Sequence, residues 1–206
     1  MPPSRCRCPP RPWSPPPLPD ERAVVPPRQP YAEQVVLLDH DPQWALDFES
    51  DRRAIEAVLG DSVLAVDHVG STSVPGLPAK PILDILLQVP DSADEPSYVP
   101  PMLGLGYRVR VREPHWLEHR VLSRRVADGD PHSVNVHVLS PRHGAGEIAR
   151  MLGFRDWLRS HDDDRDRYAA VKQERATRRW RYVQDYADAK SEVVEEILAR
   201  AAQGRR

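Results

Sequence analysis

The chain has 206 residues, 40% of them hydrophobic and 29% charged, with a formal net charge of −2. That length gives room for one domain with a real core, and the near-neutral balance provides no global basic field to recruit nucleic acid. No apolar run approaches the roughly 18–20 residues that span a bilayer, so neither nucleic acid nor a membrane is an expected partner.

Composition divides the chain unevenly. Residues 1–30 hold about half of the 23 prolines, and arginines precede the first acid, Asp20. Such a stretch buries too little apolar surface to offset its ordering entropy, and it lacks the apolar core of a secretory signal. Residues 1–32 are therefore expected to be a disordered tail and 33–203 a single domain. Cys6 and Cys8 stand too close together to bridge, and no second pair exists to complete a zinc site. A reducing cytoplasm is the expected compartment.

In chain order, Val35–Leu38 is a β-branched run that reads as a strand. Asp41 then caps a helix that has Pro42 in its first turn, repeats apolar residues from Trp44 to Leu59, and stops at Gly60. Leu64–Val69 is the next strand. After a loop rich in Gly and Pro, with one helical turn at Ser71–Val74, Ile82–Val89 is apolar enough to be buried on both faces. A short helix spans Tyr98–Leu105. Three strands follow: Tyr107–Val111 with Arg108, Arg110 and Arg112 on one face, Trp116–Leu122, and Val134–Leu139, the last two joined by a turn at Ala127–Pro131. Helices at Glu147–Ser160, Arg165–Tyr186 and Ser191–Ala202 complete an α/β (α+β) order with a mixed sheet and a C-terminal helical layer.

The chemistry gathers at His68–Val89. Gly70-Ser71-Thr72-Ser73 offers backbone N–H groups and hydroxyls to a phosphate, although Gly-Ser pairs are also ordinary turns. Asp84 lies mid-strand in an apolar run, where a lone carboxylate is costly and calls for a cation, donors or water. Lys80 precedes that strand and can add charge to the same anion. On the strand Val134–Leu139, Asn135 and His137 share the face opposite three valines, so they converge with Asp84 if the strands are neighbours. Taken alone, His137 reads more readily as a structural histidine.

Other clusters are less informative. On a strand His115 and His119 stand about 13 Å apart by strand rise, too far for one zinc ion. The run His161-Asp162-Asp163-Asp164 lies where acids complement a helix N-terminus. Arg155, Arg159, Lys172 and Lys190 read mostly as solvated faces, one or two of which can reach a bound anion.

Several motifs together carry a resemblance. His68–Leu77 (HVGSTSVPGL), Ala79-Lys80-Pro81 and Asp84-Ile85 resemble the signature of the GrpB family. So do Asp41-Pro42-x-Trp44, Leu103-Gly104-x-Gly106-Tyr107, Val136-His137-Val138, Phe154-Arg155-Asp156-x-Leu158-Arg159, Tyr168…Lys172 and Tyr186…Lys190. The resemblance covers roughly residues 33–202 and implies a nucleotidyltransferase-like fold. It implies that Gly70 and Ser71, with Thr72, Ser73, His68, Arg155, Lys172 and Lys190, bind a nucleotide such as ATP. It further implies that Asp84, His137 and Asn135 hold Mg2+ or another divalent cation. Asp84, His137 and Lys80 are then the catalytic candidates. The second acid of that superfamily falls on Leu86, and Asn135 stands where relatives often have His. The family is also found fused to dephospho-CoA kinase.

Two functions remain from this reading. One is an enzyme that uses a metal-bound nucleoside triphosphate to nucleotidylate, or adenylate and ligate, a small-molecule acceptor. The other is a non-catalytic module binding a nucleotide or coenzyme A precursor. Asp84, Lys80 and His137 together favour the first, and Leu86 favours the second. The oligomeric state is not legible.

Overall fold

A computed structural model describes residues 35–126, 132–178 and 190–203. The tail, the turn Ala127–Pro131 and the helix expected through Tyr186 beyond residue 178 lie outside the described residues.

The first helix, α1 (Gln43–Leu59), starts as its sequence requires: the Asp41 carboxylate accepts the Gln43 N–H at 2.8 Å. Gly60, with φ +52°, ends it. One face buries Trp44, Ile55 and Leu59, while Arg52 is held on the other by Glu49 and Glu56 at helical spacing. The strand expected at Val35–Leu38 is only a single bridge, Leu38 to Ala79. That contact pins the loop before Lys80 without extending the sheet.

Five strands form one mixed sheet in the order β1-β2-β5-β4-β3, namely β1 (Ala65–Val69), β2 (Ile82–Gln88), β3 (Arg108–Glu113), β4 (His119–Arg124) and β5 (Ser133–Leu139). Only β2 and β5 are parallel, and their register sets Asp84 opposite Asn135. Val134, Val136 and Val138 of β5 join Leu83, Ile85 and Leu87 of β2 in the main core. That core is covered by α1 and by α2 (Glu95–Gly104). Period-two alternation sends Asp84, Asn135 and His137 to the other face.

Among the described residues, three helices layer that second face: α3 (Pro141–Ser160), α4 (Asp162–Ala176) and α5 (Ser191–Gln203). Val74 and Leu77 of the Gly-Pro loop pack with Leu158, Tyr168, Val193 and Ile197 of these helices, anchoring the loop over the sheet. Asp162, Asp163 and Asp164 occupy the first turn of α4, and Asp164 also binds Arg200 and Trp157. Among the described residues, no helix is long and apolar enough to cross a membrane.

Two expected elements are corrected. The helix Tyr98–Leu105 begins earlier, at Glu95, and continues through Pro100 and Pro101. Residues 114–118 form a turn instead of a strand, with Leu117 and Glu118 at positive φ, so β4 begins only at His119. A bulge between Val109 and Val111 also breaks the expected arginine stripe. Arg112 pairs with Glu95 on the core side, whereas Arg110 bonds Ser123 on the other.

Candidate active site

The site is built where the β1–β2 loop folds over β2. Gly70 has φ +68°, and Ser71–Ser73 forms a single 3-10 turn. The turn is tied from behind. Ser73 Oγ donates to the Gly70 carbonyl at 2.6 Å, and Arg159 donates twice to the Ser73 carbonyl, at 2.9 and 2.8 Å. Arg155 holds the Asp67 carboxylate and the His68 carbonyl. His68 stacks on Phe48 at 4.7 Å and meets the Thr72 hydroxyl at 3.0 Å; burial lowers its pKa to about 4. His68, Ser73, Arg155 and Arg159 therefore brace the loop.

In front of the turn lies a cleft of about 190 Å3. Ser71 and Thr72 line it from the loop, Asp84 and Asn135 from the sheet, and Lys80, Lys172 and Lys190 from the remaining sides. Lys172 of α4 is only 2% exposed; its amine donates to the Pro78 carbonyl and sits over the Tyr168 ring. Burial, then the neighbouring lysines, bring Lys172 down to about 7. Burial and Lys80 bring Lys190 to about 8. Lys80 is lowered too, chiefly by burial. Three amines crowded around one carboxylate form a site that gains from a bound anion.

Asp84 is fixed by its neighbours. Asn135 Nδ2 donates to Asp84 Oδ1 at 2.8 Å, and Arg125 donates to Asn135 Oδ1 at 2.5 Å, which sets the orientation of the amide. Burial works to raise the Asp84 pKa, but His137, Asn135 and Lys80 outweigh it and hold the carboxyl below its usual range. His137 Nε2 stands 3.9 Å from Asp84 Oδ1.

Sequence reasoning missed what lies behind His137. Its Nδ1 is 3.1 Å from His119 Nε2, the two rings stack at 5.3 Å, and His119 Nδ1 is 2.7 Å from Glu113 Oε2. Burial lowers the His119 pKa against the pull of Glu113. A carboxylate only accepts, so neutral His119 donates from Nδ1 and its Nε2 accepts. His137 then donates from Nδ1, and its Nε2 is the ring atom that faces Asp84. The turn at 114–118 makes this alignment, and Pro114 straight after Glu113 was the one sequence signal for it.

Leu86, at the position of the missing second acid, is fully buried with Val69, Leu139 and Ile148. Among the described residues, no group of three or more His, Cys, Asp or Glu side chains is placed to hold a metal ion.

This architecture defines a mixed α/β protein organised around a lysine-lined cleft in which, among the described residues, the half-buried Asp84 is the one acid. A family model described as GrpB protein matches residues 34–200, and the chain belongs to the GrpB family. It is 53% identical over 173 residues to a UPF0157 protein of Halalkalibacterium halodurans, covering 84% of this chain and 85% of that one. A dephospho-CoA kinase of Mycolicibacterium paratuberculosis is 31% identical over 159 residues, which is 67% of this chain but 39% of the kinase. The crystal structure of conserved protein GrpB from Enterococcus faecalis superposes with a TM-score of 0.63 at 26% identity, covering 78% of this chain and 98% of that one.

Proposed function

We propose that the protein is a nucleotidyltransferase-type enzyme that uses a nucleoside triphosphate such as ATP to modify a small-molecule acceptor. One observation carries this reading. The lysine-lined cleft and the Nε2 edge of the His137 imidazole meet at one carboxylate, Asp84.

The parts divide by chemistry. Lys80, Lys172, Lys190 and the Ser71 turn suit the phosphate chain. The cleft is smaller than the roughly 300–1,000 Å3 of a whole-ligand pocket, so the nucleoside extends outside it. Asp84 is the residue that would hold Mg2+, an ion usually bound by one or two carboxylates together with substrate phosphates. Such an ion would supply neutralisation of charge on the transferring group. Asn135 serves by fixing the carboxylate, since its amide oxygen already accepts from Arg125. His137 Nε2 takes the proton of the acceptor nucleophile. The nucleophile bonds to the α-phosphorus, and the bond to the departing pyrophosphate breaks.

The test is pyrophosphate release with each nucleoside triphosphate and pooled acceptors. Asp84→Asn and His137→Gln should each reduce release by about 10²–10⁴-fold while nucleotide still binds. A second reading, a non-catalytic nucleotide-binding module, is favoured by Leu86, because among the described residues no second carboxylate lines the cleft. Tight nucleotide binding with no release under any combination would select it.

A further inference from the structure

We infer that a second cavity beside His137 receives the acceptor, and that it takes a small primary amine with an apolar body. The word acceptor rests on the nucleotidyltransferase reading; the binding of an amine does not.

The cavity holds about 510 Å3 between the sheet and α3. Trp116, Val121, Leu139 and Met151 make apolar walls, and its charged lining is Glu113 and Glu147. Among the described residues, no lysine or arginine lines it. This is the composition of a small-molecule site: mostly apolar, with a few placed polar groups.

Charge decides the class of ligand. The adjoining cleft gathers three lysines, whereas this cavity gathers two carboxylates. A carboxylate ligand would face both acids without a cation in the lining, so an acidic acceptor is selected against. An ammonium group is attracted instead. Glu113 gives Oε2 to His119 at 2.7 Å, which leaves its other oxygen for a ligand. Glu147 meets Arg150 at 3.2 Å, but that guanidinium is shared with Glu195 at 2.7 Å. Trp116 adds an aromatic face that also favours a cation.

The backbone supports the same place. Leu117 and Glu118 both have positive φ, at 59° and 50°, an expensive conformation for residues with side chains. That turn seats Leu117 against the cluster of Val69, Leu86 and Leu139 and sets Trp116 edge-on to His119 at 5.1 Å. Trp116 stays 46% exposed, an aromatic wall without full cover. His137 lines this cavity and Asp84 lines the lysine cleft, and the two side chains are 3.9 Å apart. An amine in the cavity therefore lies against the same imidazole whose Nε2 faces Asp84.

The experiment is calorimetric titration of the full chain, without nucleotide, with 2-phenylethylamine and with the matched acid 3-phenylpropionate. The amine should bind at least about tenfold more tightly than the acid, a difference of about 1.4 kcal/mol. Met151→Lys should abolish amine binding and leave triphosphate binding unchanged. Trp116→Ala, on the exposed turn, should weaken amine binding by about tenfold or more, and thermal melting establishes that each variant folds. Equal binding of acid and amine, no binding of either, or unaltered amine binding in both variants overturns the inference. Triphosphate binding without amine binding removes only the acceptor pocket. Amine binding without triphosphate binding removes the nucleotide reading and keeps the pocket.

Discussion

Asp84 lies so closely under Gly70 that a Cβ on that glycine would stand 2.5 Å from the carboxylate Oδ2 and 2.9 Å from the Asp84 Cβ. Glycine is required twice, by this contact and by φ +68°. Gly70→Ala is predicted to destabilise the fold by about 1–3 kcal/mol and to weaken triphosphate binding by displacing the carboxylate. Denaturant unfolding and nucleotide titration of the variant measure both. Wild-type values in both would mean that the turn does not position Asp84.

The lysine cleft gives phosphate binding a defined pH dependence. In the free protein Lys172 and Lys190 lose their protons near 7 and 8, below the ordinary 10.5. A bound phosphate raises both, so binding takes up protons in that range and affinity falls as pH rises from about 7 to about 9. Stability of the free protein has the opposite sign. The unfolded chain holds more protons between these depressed values and 10.5, so the fold gains stability as pH rises through that window. Titration calorimetry in buffers of different ionisation enthalpy reads the proton uptake directly. Affinity independent of pH over that range would remove the two lysines from the anion site.

Glu113 is predicted to act through His119 on His137 as a positioning residue. Glu113→Gln keeps the shape but releases the tautomer lock, since an amide can donate as well as accept. Turnover should fall by about tenfold with little change in KM and an altered pH–rate profile, because His119 no longer holds the His137 ring in one tautomer. Nitrogen-15 chemical shifts of His137 report the tautomer independently. A variant with lowered melting temperature but an unchanged pH profile and unchanged shifts would reduce Glu113 to a structural role.

Leu86 has no access to the cleft, so a carboxylate there finds apolar neighbours. Leu86→Asp should cost several kcal/mol, on the order of an unpaired buried charge, and should not strengthen Mg2+ binding. Urea denaturation decides this. A stable variant with tighter metal affinity would show that the position opens toward Asp84.

The sequence made the centre of the site legible because its signals are local. Alternation alone put Asn135 and His137 on the face away from three valines, and a carboxylate in an apolar run drew attention to Asp84. Lys172 and Lys190 read mostly as solvated faces and are singled out as nucleotide ligands only by family resemblance, because helical spacing shows which face a lysine occupies and not which loop that face meets. His119 and Glu113, with Pro114 the one hint of the turn between them, are hard to read for a different reason. Their alignment depends on a tight turn whose positive-φ residues are Leu and Glu, where glycine or asparagine would have announced it. The bulge at Val109/Val111 likewise leaves no mark in composition, so the arginines of β3 were assigned to one face. Arg155 and His68, named as phosphate ligands, lie behind the loop, bonded to protein groups.

The most direct measurement is a crystal structure with a non-hydrolysable triphosphate and Mn2+, located by anomalous scattering. The account predicts a manganese peak bonded to an Asp84 oxygen at about 2.2 Å, phosphates on Lys80, Lys172 and Lys190, and no such peak in Asp84→Asn. A nucleotide bound elsewhere, or a lysine cleft left empty at saturating ligand, would contradict it.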